Sequence, residues 1–438
     1  MYRGKKDYEK AVKIIRNYFK EGEKVKDDYS IGLEIEHFVL KKKNYKAVSY
    51  YESDGIADIL KFLAKKNRWE PLYENENIIG LKSKDASVSL EPGGQVELSI
   101  SPQIDLKVIE KIYLSFLQEI IPLLEKRDYY LVNIGYQPLS LIKDIPLLPK
   151  KRYKFMYDYF KNTGTYAHNM MKGTASLQVN LDYSNEKDYV EKFKIANFLS
   201  PLIYYVFDNS PFFEGKKCNN CSIRAVIWDN CDDQRCGFSP EPFDEYFGYD
   251  SYAEYLLNIP PIFIKKEGKL KYTGNKLFKE IFDPHDFSKK EIDHIVTMAF
   301  PDVRTKQYIE IRMGDSLPYP YSLGYAAFWK GLFYNQDNLN LLYRQLQELG
   351  KKNIISIKRQ IKNGNNNIIF NNKGIYEYFQ ELFNMAEDGL EEKERDYLYS
   401  LKEFIDKKIK PKDYILQKIN KDTKIDLNWC VSNNLIGK

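Results

Sequence analysis

The stretch SVSLEPGGQVELSISP, Ser87–Pro102, alternates apolar and polar residues on both sides of a Pro-Gly-Gly turn. Period two marks a strand with two distinct faces. Val96, Leu98 and Ile100 point one way, and Gln95, Glu97 and Ser99 point the other. EPGG reads as a β-turn, with Pro92 preset at its second position and Gly93 able to take positive φ at its third, which brings Glu91 beside Glu97. Glutamate fits strands poorly. Its presence here therefore asks for a chemical reason.

The same pattern recurs three times. In SIGLEIEHF, Ile31, Leu33 and Ile35 share one face while Glu34 and Glu36 project from the other. TASLQVNLDY sets Leu177, Val179 and Leu181 against Gln178, Asn180 and Asp182, and QYIEIRMGD sets Ile309 and Ile311 against Glu310 and Arg312. A single strand of this kind reads as an antiparallel sheet with one solvated face. Four of them, carrying Glu, Gln and Asn at the cost of strand propensity, read as a selected polar surface. Carboxylates crowded on one face repel, and a hard cation relieves the repulsion. Mg²⁺ and Mn²⁺ take octahedral oxygen ligands at about 2.1 Å and keep several waters, whereas zinc would ask for His or Cys.

The bulk numbers agree with an enzyme-sized folded body. Of 438 residues, 43% are hydrophobic and 29% charged, too apolar for a disordered chain. The 67 basic residues nearly match the 62 acidic ones. No basic block is interleaved with aromatics, so no nucleic-acid partner is indicated. The N-terminus has a charged, helix-like period, and no stretch reaches the roughly 18 uninterrupted apolar residues of a membrane span. A cytoplasmic protein without a membrane partner is the expectation.

Helical periods appear over 7–20, 107–126 and 188–207, the last expected to break at Pro201. Beyond about residue 320 the chain turns helical for long spans, separated by the loop NGNNNIIFNNKG at 363–374. No repeat or Pro/Gly/Ser-rich linker divides it. The expected partition is one catalytic domain over 1–438, with a core at 28–335 and a helical region at 336–438.

These residues resemble the plant-type glutamate–cysteine ligases, carboxylate–amine ligases with a glutamine-synthetase-like fold. The motifs run in family order through IGLEIEHF, SLEPGGQVELS, KRYKFM, NMMKGTASLQVNLDYS, FDNSPFFEGK, SIRAVIWDNCDDQRCGF, YDSYAEYLLNIPPIF, FPDVRTKQYIEIRMGD and AAFWKGLFY. The resemblance implies an α+β fold with a curved, mainly antiparallel sheet flanked by helices. It also implies ATP-dependent joining of glutamate to cysteine through a γ-glutamyl phosphate, with ATP as co-substrate and Mg²⁺ or Mn²⁺ as cofactor.

By that resemblance the metal role falls on Glu34, Glu36, Glu91, Glu97, Glu310 and Gln178, and the phosphoryl-stabilising role on Arg304, Lys306 and Arg312. Substrate binding falls on Arg152, Arg224, Trp228, Arg235, Tyr252, Tyr255 and Asn180. A guanidinium suits a substrate carboxylate because it binds in a bidentate way. Two departures bear on the amine: Tyr319 in MGDSLPYP stands where the family has Trp, and Ile35 separates the two glutamates of the first strand where the family has His. They motivate a second reading, a γ-glutamyl ligase for another amine. A third is a catalytically silent nucleotide-binding relative.

The segment CNNCSIRAVIWDNCDDQRC places Cys218, Cys221, Cys231 and Cys236 close in sequence. This spacing is compatible with structural zinc, with a redox pair or with unligated thiols. The four histidines show no metal spacing, although His168 precedes NMMKGT and is a candidate cleft residue.

Overall fold

The computed structural model describes residues 4–66, 68–218, 222–266, 268–422 and 425–435. Its centre is a nine-stranded sheet of β1 (Ile31–Lys41), β2 (Glu70–Glu74), β3 (Asn77–Lys82), β4 (Ala86–Leu90), β5 (Val96–Gln103), β6 (Tyr129–Val132), β7 (Ser176–Leu181), β8 (Val303–Thr305) and β9 (Ile309–Asp315). The order is β8-β9-β7-β1-β5-β4-β3-β2, with β6 also paired to β1. Every pairing is antiparallel.

The register aligns the four polar rows. Glu36 stands opposite Glu97 and Glu34 opposite Ser99 across β1 and β5. Glu34 also faces Gln178 on β7, Glu310 faces Asn180, and Arg304 on β8 faces Glu310. A one-residue slip in any pair would send that strand's charges into the core, so the apolar rows hold the register. Leu33, Ile35, Leu98, Leu177, Val179, Ile309 and Ile311 are fully buried in one continuous core.

Helices α1 (Lys5–Lys20), α2 (Ile56–Ala64), α3 (Leu106–Glu125), α4 (Lys151–Tyr159), α5 (Ala167–Gly173), α6 (Glu186–Val206) and α7 (Ile223–Trp228) precede β8, as do α8 (Tyr249–Leu257) and α9 (Lys289–Thr297). After β9 come α10 (Tyr321–Phe333) and α11 (Gln336–Lys362), the latter broken at Gly350, whose φ of 74° only glycine adopts cheaply. Helices α3, α6 and α10 pack on the sheet. Residues near 430 return to pair along β6. Val431 bridges to Val132, Asn433 Oδ1 accepts from the Leu131 N–H at 2.8 Å, and the Asn133 N–H donates to the Cys430 carbonyl at 2.9 Å.

Two local expectations are corrected. Helix α6 runs through Pro201 because it is buried on every side along that stretch, and packing overrides the missing hydrogen bond. In the EPGG turn the residue with positive φ is Gly94, at 87°, and not Gly93. Gly93 is needed for close approach instead: a Cβ there would lie 2.4 Å from the Lys172 carbonyl oxygen. Among the described residues no helix is long and apolar enough to cross a membrane.

Candidate active site

The polar rows open into a cavity of about 400 Å³. Strands β1 and β5, with the turn before β5, bring Glu34, Glu36, Glu91, Glu97 and Ser99 to its floor, and β7 adds Ser176 and Gln178. Arg304, Lys306 and Arg312 line it from β8, β9 and the turn between them. The wall carries Lys150, Arg152, Tyr153, Met156, Met170, Met171, Trp228 and Phe300. A second recess of about 290 Å³ shares Glu34 and Ser99 and adds Lys82, Lys84, Asn180 and Tyr308.

Charge is sorted across this floor. At the β9 end Glu310 is fully buried, and its two oxygens meet Arg304 Nη2 at 2.6 Å, Lys306 Nζ at 2.6 Å and Arg312 Nη1 at 2.7 Å. Burial alone would raise its pKa, but the three cations outweigh burial and hold the carboxyl well below the usual range. Arg312 Nη1 also donates to Gln178 Oε1 at 2.7 Å, and its guanidinium lies 5.7 Å from the Trp228 ring centre.

At the other end the carboxylates crowd one another. Burial, then Glu310 and Glu97, push Glu34 up to about 7. Burial, then Glu97 and Glu91, push Glu36 up to about 8. Burial and Glu91 likewise raise Glu97. Glu36 accepts from the Ser176 N–H and hydroxyl, both at 2.8 Å, and Glu97 accepts from Ser89 and Ser99.

This donor set fits a hard divalent cation. The carboxylates of Glu34, Glu36, Glu91 and Glu97 crowd one another, Glu36 buried and the other three half-buried, and neither His nor Cys lines the cavity. Among the described residues no group of three or more His, Cys, Asp or Glu side chains is gathered closely enough to hold a metal ion by itself, so water and substrate oxygens would have to complete the shell. Glu310, expected in the metal set, is occupied by its three cations. Gln178 is occupied as well, linking Arg312 to Glu36 through Oε1 and Nε2.

Of the expected substrate residues, Arg152 and Trp228 line the cavity and Asn180 lines the recess, where it donates to Glu34 at 3.0 Å. Arg224, Arg235, Tyr252 and Tyr255 do not line either space; the first three are sealed in the interior and Tyr255 is half-buried. Arg235 spans Asp232, the Pro260 and Met298 carbonyls and the Tyr159 hydroxyl. Tyr252 accepts the Thr305 N–H at 3.0 Å, and burial raises the Tyr255 hydroxyl. Arg224 binds backbone carbonyls and Asp315.

Tyr319 donates to Glu110 at 2.8 Å, away from the cavity. His168 stacks on Tyr157 and bonds its carbonyl. Cys231, Cys236 and Cys430 are buried thiols outside any disulfide, Cys218 is buried too, and Cys221 lies outside the described residues. Lys150 and the three methionines were missed by sequence reasoning. Lys150 stands two residues before Arg152, and Met170 and Met171 sit inside a quoted motif, which was the available signal.

Residues 30–354 match the family described as glutamate-cysteine ligase family 2. Similar curated proteins include the chloroplastic glutamate–cysteine ligase of Arabidopsis thaliana, 32% identical over 92% of this chain and 78% of the relative. Chloroplastic glutamate–cysteine ligase B of Oryza sativa subsp. japonica is 31% identical over 91% and 82%. A crystal structure of the glutamate–cysteine ligase of Francisella tularensis in complex with AMP shares the fold, with a TM-score of 0.56 at 13% identity, over 91% of this chain and 86% of that one. The cytoplasmic expectation is overturned by the curated relatives, which are named as chloroplastic.

Proposed function

The chain belongs to glutamate-cysteine ligase family 2, and from that membership we propose that it condenses glutamate with cysteine at the expense of ATP, through a γ-glutamyl phosphate. The observation that carries the reading is the sorted floor of the cavity, with three cations gathered on Glu310 at one end and four crowded carboxylates at the other.

The γ-carboxylate of glutamate attacks the terminal phosphorus of ATP and releases ADP. Cysteine's amine then attacks the acyl phosphate and releases phosphate. Neither step needs a side-chain nucleophile. The protein's work is positioning and charge stabilisation. Arg304, Lys306 and Arg312 face the transferring phosphoryl group, and Glu310 holds them together before substrate arrives. Arg152, whose Nε–H has no protein partner, binds the α-carboxylate of glutamate. Glu34, Glu36, Glu91 and Glu97 would hold Mg²⁺ or Mn²⁺, which would supply positive charge against the phosphates. Gln178 keeps Glu36 and Arg312 in their places, and Trp228 walls the side where the amine enters. The whole chain acts as one catalytic unit, with the region beyond 336 packed against the core.

The altered turn at Tyr319 argued for another acceptor, but that side chain is tied to Glu110 outside the cavity. Cysteine is therefore the preferred amine. The test is ADP release from ATP, Mg²⁺ and glutamate with each amino acid offered singly, and the product mass read in parallel. A cysteine-dependent signal with a γ-glutamylcysteine mass supports the reading. A signal with a different amine moves the specificity, and none with any amine removes the ligase assignment.

A further inference from the structure

The pairing of β9 with β7 is interrupted beside the cavity. Ile311 of β9 faces Val179 of β7 and Gly314 faces Leu177, so three steps along β9 match two along β7. The extra residue makes a β-bulge at Arg312 and Met313, a device that re-aims a side chain and bends its strand. Here the side chain is Arg312, which turns back to Glu310 and Gln178 at 2.7 Å each.

A bulge breaks the ladder and leaves carbonyls without partners, and a buried carbonyl without a donor is costly. Arg224 supplies the donors. Its Nη1 lies 3.0 Å from the Met313 carbonyl and 2.9 Å from that of Gly314, and Nη2 lies 3.4 Å from that of Arg312. Asp315 Oδ1 meets the charge at 3.1 Å, and Asp315 is itself held by the Asn209 N–H and the Ser210 hydroxyl. Arg224 is 2% exposed and Asp315 4%. A guanidinium sealed and occupied in this way is out of reach of a substrate carboxylate.

We propose that Arg224 is a positioning residue that clamps the bulge of β9 and so holds Arg312 on the cavity face for phosphoryl transfer. Lysine cannot replace it, because one ammonium cannot span three successive carbonyls and a carboxylate as a planar fork does. The catalytic half of the inference rests on the ligase reading.

Arg224→Lys is compared with the unaltered chain in steady-state kinetics, alone and combined with Arg312→Lys. The single variant is expected to lose about tenfold or more in kcat with KM for glutamate within about twofold. The double variant should lose little beyond Arg312→Lys alone, since the clamp acts through Arg312. Amide exchange over residues 311–316 should rise while exchange in β1 and β5 stays unchanged. Should Arg224→Lys fail to fold, Asp315→Asn is measured in the same way, with smaller changes in the same direction. A rise in KM for glutamate at unchanged kcat would make Arg224 a substrate ligand and overturn the clamp. Multiplying losses in the double variant, or unchanged exchange in a folded one, would overturn it equally. If the unaltered chain turns over no amine, the ligase reading falls and the exchange measurement alone decides the clamp.

Discussion

Replacing Glu310 with glutamine removes the one charge on which Arg304, Lys306 and Arg312 converge. All three side chains are largely buried, at 9%, 18% and 13% exposure. Breaking a buried ion pair from one side costs about 3–5 kcal/mol, because the partner charge stays behind uncompensated. For 438 residues the unfolding entropy is about 0.9 kcal/mol/K, so Tm should fall by about 3–5 °C. Glu97→Gln changes charge on the same sheet face with the opposite expected sign. Its amide oxygen keeps the bonds from Ser89 and Ser99, and one charge leaves a crowded carboxylate row. That variant should melt at or above the wild-type temperature, and both should lose turnover. The assay is thermal unfolding of the three proteins side by side in metal-free buffer. An E310Q protein that melts at or above wild type would refute the sorting of charge across the cavity.

Arg152→Ala should raise KM for glutamate by about 10- to 100-fold with a smaller change in kcat, the loss expected for one charge-assisted contact; initial rates over a glutamate series decide it. Gly93→Ala should cost about 1–3 kcal/mol by forcing the turn off the Lys172 carbonyl, and unchanged denaturant midpoints would contradict the packing described. Lys192 is buried against Asp188, and burial pushes it down to about 8 despite that partner. The unfolded chain therefore holds more protons between about pH 8 and pH 10, and the Lys192 contribution to stability rises with pH across that window. Relative to Lys192→Met, wild type should gain up to about 3 kcal/mol from pH 8 to pH 10 in urea unfolding. Burial raises the thiol pKa of Cys430, and the neighbouring Cys236 together with burial raises that of Cys231. Both should resist a thiol reagent until the protein unfolds, as read by peptide mass mapping.

The polar rows of β1, β5, β7 and β9 were legible because a period of two tells each residue's face without any knowledge of its neighbours. Antiparallel pairing then brought Glu36 to Glu97 and Glu310 to Asn180. The glutamine-synthetase-like α+β fold and the family were legible from motif order. What failed were residues whose chemistry serves two ends. An arginine in a motif looks the same whether it binds a substrate carboxylate, as expected of Arg224, or three backbone carbonyls, as found. Tyr252 and Tyr255 line neither space for a similar reason, since nothing in a helical period tells which aromatic faces a cavity. The three cations on Glu310 could not be read either. Their meeting depends on how β8 folds back on β9.

The position of β1 in the sheet has a consequence for the birth of the chain. Its two central neighbours are β5, close behind it in sequence, and β7, with β9 beyond, which emerge far later. At about 5–20 residues per second, residue 34 waits on the order of 7–30 s on the ribosome for its partner residue 178. During that interval β1 offers one unpaired backbone edge beside buried-type side chains such as Leu33 and Ile35, the kind of surface that templates aggregation. The strap near residue 430 pairs along β6 later still. The nascent half-sheet must therefore be kept from meeting its own kind, a demand set by strand order and independent of the chemistry the finished cavity performs.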